Sequence, residues 1–223
     1  YSPIIDNPPP PQTRAFYAYD GNGEPPILRV YWQMGGEVEK SYISGWNHNV
    51  KPDAEPKDKL QTHHHQMTRT DNGEVLISGK DIRLGHTITM ARQGIPDEPE
   101  TQVGLLFPKI DIPSGAKITE AKLILTQQGE RISTKTKNRN EPLTLEICAE
   151  KVANAETFRS DDSNRSVGAS FQRRTEQCGE FEWAATSDAT SENPNQIEIG
   201  SDIITPILEE LLAQSDWEMG NNM

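Results

Sequence analysis

The sequence predicts an all-β protein: an antiparallel β-sandwich, jelly-roll-like, with one short late helix and a Pro-rich N-terminal extension. Three observations carry this prediction. Apolar and polar residues alternate in many short runs separated by Gly, Pro, Asn and Asp. The stretch VGLLFPKIDIPSGAKITEAKLIL, Val103–Leu125, reads as two buried strands joined by a fixed corner. Helical spacing of apolar residues appears late, in TPILEELLAQSDW.

The elements follow in order. Residues 1–13 contain Pro3 and Pro8-Pro9-Pro10-Pro11, which favour polyproline II and suit a leader or an extended arm. Residues 14–70 form an N-terminal region in which AFYAY and ILRVYWQ are β-rich runs. Asp20-Gly21-Asn22-Gly23 between them is a turn signal, so the two are expected to pair as a hairpin. The rest of that region is polar, with EKSYISGW as a short strand candidate and His63-His64-His65 in an expected exposed loop. Residues 71–223 carry cleaner patterning. EVLIS is a short strand, and DIRLGHTITM places Ile82, Leu84, Ile88 and Met90 on one face together with His86, which reads as a hydrogen-bonded core histidine.

In the central stretch Val103, Leu105 and Phe107 share one direction, followed by Ile110 and Ile112, and then by Ala121, Leu123 and Leu125. Pro108 interrupts the ladder, and Pro113-Ser114-Gly115 supplies the corner. LTLEICAEKV and GEFEWAA are the next strands, with Trp183 and later Trp217 as core residues. Ile204, Ile207, Leu208, Leu211 and Leu212 form the helical stripe. Pro206 suits the first helical position with Thr205 as its cap, and the helix is expected to end near Asp216.

Composition bounds the function. The 223 residues include 34 acidic and 22 basic side chains, a net charge of −12 that repels nucleic acid. No apolar run approaches the roughly 18 residues a membrane helix needs. The two cysteines, Cys148 and Cys178, fall outside the apolar parity of their strands. A cross-strand disulfide and two unpaired thiols are both open readings; the first favours export.

The central stretch resembles the pattern of extracellular β-sandwich modules related to the DNRLRE-type repeats, which include carbohydrate-binding modules. DIRLG is similar to that family's opening strand, and TPILEELLAQSDWEMGN to its late helix, tryptophan and Gly-Asn pair. The resemblance covers about Gly73 to Met223 and implies a secreted or cell-surface setting, as in type IV pilus tip adhesins and secreted polysaccharide-active proteins. In that family a final strand follows the Gly-Asn pair, so the sandwich is expected to lack its last strand. A longer parent chain or a strand-donating neighbour would supply it.

Motifs for catalysis are missing from the sequence: it has no GxSxG, HExxH, P-loop or dinucleotide fingerprint, and the reading is non-catalytic. Tyr31, Trp32, Tyr42 and Trp46 are the candidates for glycan contact, because a sugar's C–H face packs on an aromatic ring. Calcium is the candidate ion, with Asp20, Asn22 and Glu24 in one loop and Asp161, Asp162 and Asn164 in another. His63 and His65, with His48 more distant, are the candidate imidazole ligands. The expected function is adhesion or display by a module of a larger surface protein, through protein partners or surface polysaccharide. A pilus-tip or filament component using an open sheet edge, and an accessory module of a polysaccharide-active enzyme, are the alternatives.

Overall fold

A computed structural model describes residues 26–34, 103–127, 143–156, 158, 170, 172–183 and 196–223 with their side chains, and 13–17, 37–43, 65–69, 75–76, 81–85 and 101–102 as backbone. The described residues are mostly strands in antiparallel sheets, with one α-helix. The strands are β1 (Thr13–Tyr17), β2 (Ile27–Gln33), β3 (Glu37–Ile43), β4 (His65–Arg69), β5 (Val75–Leu76), β6 (Asp81–Gly85), β7 (Thr101–Leu105), β8 (Lys117–Thr126), β9 (Leu143–Ile147), β10 (Gly179–Trp183) and β11 (Gln196–Ile199). Helix α1 spans Ser201–Leu212.

Four sheets result, in the orders β11-β8-β2-β3, β5-β4-β7, β1-β6 and β10-β9. The expected hairpin of AFYAY with ILRVYWQ does not form. β1 pairs with β6, Thr13 opposite Gly85, while both edges of β2 are taken by β3 and β8. A turn signal states that the chain reverses locally; it does not state which strand lies alongside. β2 pairs antiparallel with β3, Gln33 opposite Glu37. β4 and β11 were not expected as strands; β4 pairs with β5 and β7, and β11 with β8.

The corner forms as the sequence implies, and it separates two sheets. β7 lies in one and β8 in the other. Gly115 takes φ 77°, which only glycine adopts without strain, and the Ala116 N–H donates to the Pro113 carbonyl at 3.2 Å.

β8 is one of the two inner strands of its sheet, the other being β2. Leu28, Val30 and Trp32 of β2 stand opposite Leu123, Ala121 and Ile118. The register shifts between Tyr31 and Trp32, so Thr119 is an extra residue on β8. That bulge turns Ile118 to the same face as Ala121, and both are buried. The apolar face meets Phe107, Ile110, Ile112, Trp183, Trp217 and the α1 stripe in one core. Each fully buried Ile, Leu or Val contributes about 1.5–3 kcal/mol. Ile124 and Thr126 point the other way yet are also buried, and β1 runs against β8.

α1 carries the expected stripe: Ile204, Ile207, Leu208, Leu211 and Leu212 are its buried residues. It begins earlier than Pro206 and ends at Leu212, so Pro206 lies inside the helix and Thr205 is not the cap. The reason is tertiary. β11 stops at Ile199, and the Ser201 hydroxyl takes the next ladder position by accepting the Ala121 N–H at 2.9 Å, which fixes the first turn against β8. Gly200 is the N-cap, its carbonyl accepting from Ile203 and Ile204.

Candidate functional site

Two surfaces hold the chemistry of the described residues. The first is the outer face of the four-stranded sheet. Because successive residues of a strand face opposite sides, Tyr31 and Trp32 cannot form one aromatic platform. Trp32, half-buried, packs against the core, and its buried Nε1 has no hydrogen-bond partner. Tyr31 is half-buried on the opposite face, with Glu120 and Glu39 as its strand neighbours.

Beside Tyr31 the outer face is charged. Lys122 Nζ lies 2.9 Å from Glu120, two residues earlier on β8, and 3.4 Å from Glu198 on the neighbouring β11. The Glu120 hydrogen bond raises the Lys122 ammonium above its ordinary value, burial opposes this, and Glu198 reinforces it. Arg29 stands opposite Lys122. This gives one aromatic ring set among charges of both signs, an arrangement that can pack a sugar ring and bond its hydroxyls.

The second surface is the corner built on β9 and β10. Gly179 pairs with Ile147, so Cys148 and Cys178 occupy the next rung of the antiparallel ladder. They form a disulfide, with Cα atoms 4.6 Å apart. Its sulfurs lie near Glu146 but, being bonded to each other, offer no thiolate to a metal. Leu143, Leu145, Ile147, Phe181 and Trp183 face the core, and Thr144, Glu146, Glu180 and Glu182 face out. Gly179 is required by close approach: a Cβ there would stand 2.7 Å from the Ile203 Cγ2 on α1.

Past the disulfide, directed bonds replace apolar packing. Thr175 is buried; its N–H donates to the Ala149 carbonyl at 2.8 Å, and its hydroxyl accepts the Ala149 N–H at 3.1 Å and donates to the Gln177 carbonyl at 2.9 Å. Glu210 of α1 accepts the N–H of Glu176 at 3.1 Å and of Gln177 at 2.8 Å. Lys151 Nζ reaches Glu210 at 2.9 Å and Glu176 at 3.0 Å. Burial works to raise the Glu210 carboxyl, and the donations from Gln177 and Glu176, with Lys151, outweigh it, so it sits below the ordinary carboxylate value. The Glu210 hydrogen bond, then that of Glu176, raises Lys151 against a smaller opposing desolvation. Glu150 accepts from Arg173 Nε at 2.9 Å and from the Ser170 hydroxyl at 3.1 Å.

A third set of polar bonds holds residues 220–223 between two segments. Phe107 and Met223 exchange both backbone bonds, at 2.8 and 2.9 Å, and Ile110 and Asn221 form a bridge. On the other side the Ala155 N–H donates to the Asn222 carbonyl at 3.0 Å, while the Asn222 side chain bonds Lys109 N–H and the Ala155 carbonyl. Trp217 Nε1 donates to the Ile112 carbonyl at 2.9 Å from a buried position.

Of the other sequence candidates, Tyr42 is placed by its backbone opposite Leu28 in β3. His65 lies in β4 opposite Leu105, a strand position where a loop was expected. Trp46, Asp20, Asn22, Glu24, Asp161, Asp162, Asn164, His63, His48 and His86 lie outside the described residues. Sequence reasoning missed Thr175 and the task of Glu210. The only visible signal was Glu210 following the helical stripe on its polar side. No family model, no curated protein and no solved structure matches the chain.

Proposed function

We propose that the chain is a non-catalytic β-sandwich module of a larger secreted or cell-surface protein, serving adhesion or display and contacting glycan through the sheet face that carries Tyr31. The observation that carries this reading is the Cys148–Cys178 disulfide on the outermost rung of β9 and β10, because such bonds persist in oxidising compartments. Antiparallel sheets, an acidic surface and the lack, among the described residues, of a helix long and apolar enough to cross a membrane agree with it. The DNRLRE-type resemblance supplies the sandwich and the surface setting. Calcium in the loops at Asp20–Glu24 and Asp161–Asn164 belongs to the same proposal.

A second reading, a pilus-tip or filament component joined through strand pairing, draws on residues 220–223. Their backbone bonds Phe107 and Ile110 on one side and Ala155 on the other. The test is impermeant labelling of intact source cells combined with a glycan array, using the chain and Tyr31→Ala. Surface labelling with glycan retention that falls at least about tenfold in the variant, the loss of roughly 1.4 kcal/mol of aromatic contact, supports the first reading. Labelling with no glycan retention and concentration-dependent assembly supports the second. A cytosolic chain with two free thiols overturns both.

A further inference from the structure

The corner past the disulfide holds a group that the proposed surface role does not use. Glu210 comes from α1 and grips, with its two oxygens, the backbone N–H groups of the two residues that precede Cys178. Its side chain is only 15% exposed. The segment is also restrained by the Thr175 bonds to Ala149 and to the Gln177 carbonyl, by the Lys151–Glu176 pair, and by the Arg173 carbonyl, which accepts the Lys151 N–H. We propose that Glu210 is a carboxylate latch over the Cys148–Cys178 bond. Ionised, it holds 176–178 in place and slows the approach of a reductant. Protonated, it releases them and exposes the disulfide to attack.

The physical reason lies in what the two N–H groups require. A carboxylate offers an acceptor oxygen to each; a protonated carboxyl turns one oxygen into a donor and loses its attraction for Lys151. Attack on a disulfide needs access to a sulfur along the S–S direction; both cysteines are half-buried, so release of the segment would raise the rate. The groups facing Glu210 are Lys151 and Glu176, and the Glu150–Arg173 pair braces the beginning of the same segment. Since Glu210 is held below the ordinary carboxylate value in the folded chain, its restraint is complete above that ordinary value. It is lost as pH falls through the lowered one.

The test is reduction of the full chain by a water-soluble phosphine between about pH 7 and about pH 3, across the carboxylate range. The phosphine attacks one sulfur, and the S–S electron pair leaves on the other. Hydrolysis of the phosphonium by water then gives two thiols and one phosphine oxide. Rates are normalised to an unstructured disulfide peptide in the same buffer, which removes protonation of the phosphine itself. The wild-type normalised rate is expected to rise by about tenfold or more on acidification, the scale of losing one charge-assisted hydrogen bond. Glu210→Gln should be fast already at neutral pH and flat below it, with faster amide exchange at Gln177. Glu150→Gln should keep the acid step, which separates the latch from general acid loosening. A wild-type rate and acid step in Glu210→Gln, or a flat wild-type profile, overturns the proposal.

Discussion

The four-stranded sheet with α1 and the disulfide corner are held by different physics. The sheet region buries Val30, Ala121, Ile199, Leu208 and Leu211 nearly completely and needs few directed bonds beyond its ladders. In the corner, residues 148–152 and 172–178 bury little apolar surface and are restrained by a covalent bond, the Thr175–Ala149 exchange and the Glu210 grip. Apolar burial is spread over many residues and degrades gradually, whereas a polar corner depends on a few bonds with fixed geometry. The difference teaches that this chain uses area where its sequence alternates, and specific partners where its backbone is irregular.

The sharpest break on the apolar side is Trp217→Ala, which empties a buried site and orphans the Ile112 carbonyl. It should lower unfolding stability by about 3–5 kcal/mol in denaturant titration, and Trp217→Phe, losing mainly the hydrogen bond, by about 1–2 kcal/mol. On the corner side, replacing Cys148 and Cys178 by Ala removes a link between positions 30 apart in sequence. The expected loss is about 3 kcal/mol with little change in the near-ultraviolet signal of Trp217, since the core does not depend on that link. An equal loss of core signal would merge the two regions into one.

The regions meet where Gly179 touches Ile203. Gly179→Ala should cost about 1–3 kcal/mol by overpacking, and Ile203→Ala in the same chain should recover part of it, a coupling that a double-mutant cycle reads directly. The smallest effect is expected at Lys122→Met on the outer sheet face. Two partly exposed ion pairs are lost, and thermal unfolding should show a change below about 1 kcal/mol that shrinks further in salt.

Much of the sheet region was legible before any coordinates. The alternation around Val30 and Leu125, the helical stripe from Ile204 to Leu212, and Trp183 and Trp217 as core residues all follow from period and residue type. Ile118 was not legible, because its parity disagrees with Ala121 until the bulge at Thr119 is known. Trp32 shows the opposite case: its parity with Leu28 and Val30 is visible in the sequence and agrees with its packing against the core. Of the candidate site, only Tyr31 and the cysteine pair stood out by residue type. Thr175 and Glu210 did not, because nothing within a few residues of either announces a partner 26 or 33 positions away.

By itself, then, the sequence determined several of the segments that extend, the apolar face of β8, the turn at Gly115 and the buried stripe of the late helix. These are local properties, set by backbone sterics and by the period of hydrophobic side chains. Tertiary structure alone decided that β1 lies beside β6 rather than β2, that α1 begins at Ser201 on the end of the β11 ladder, and that Cys148 faces Cys178 across one rung. Those are choices of register and neighbour. They depend on which edges remain free after the whole core has closed, and no local pattern encodes that.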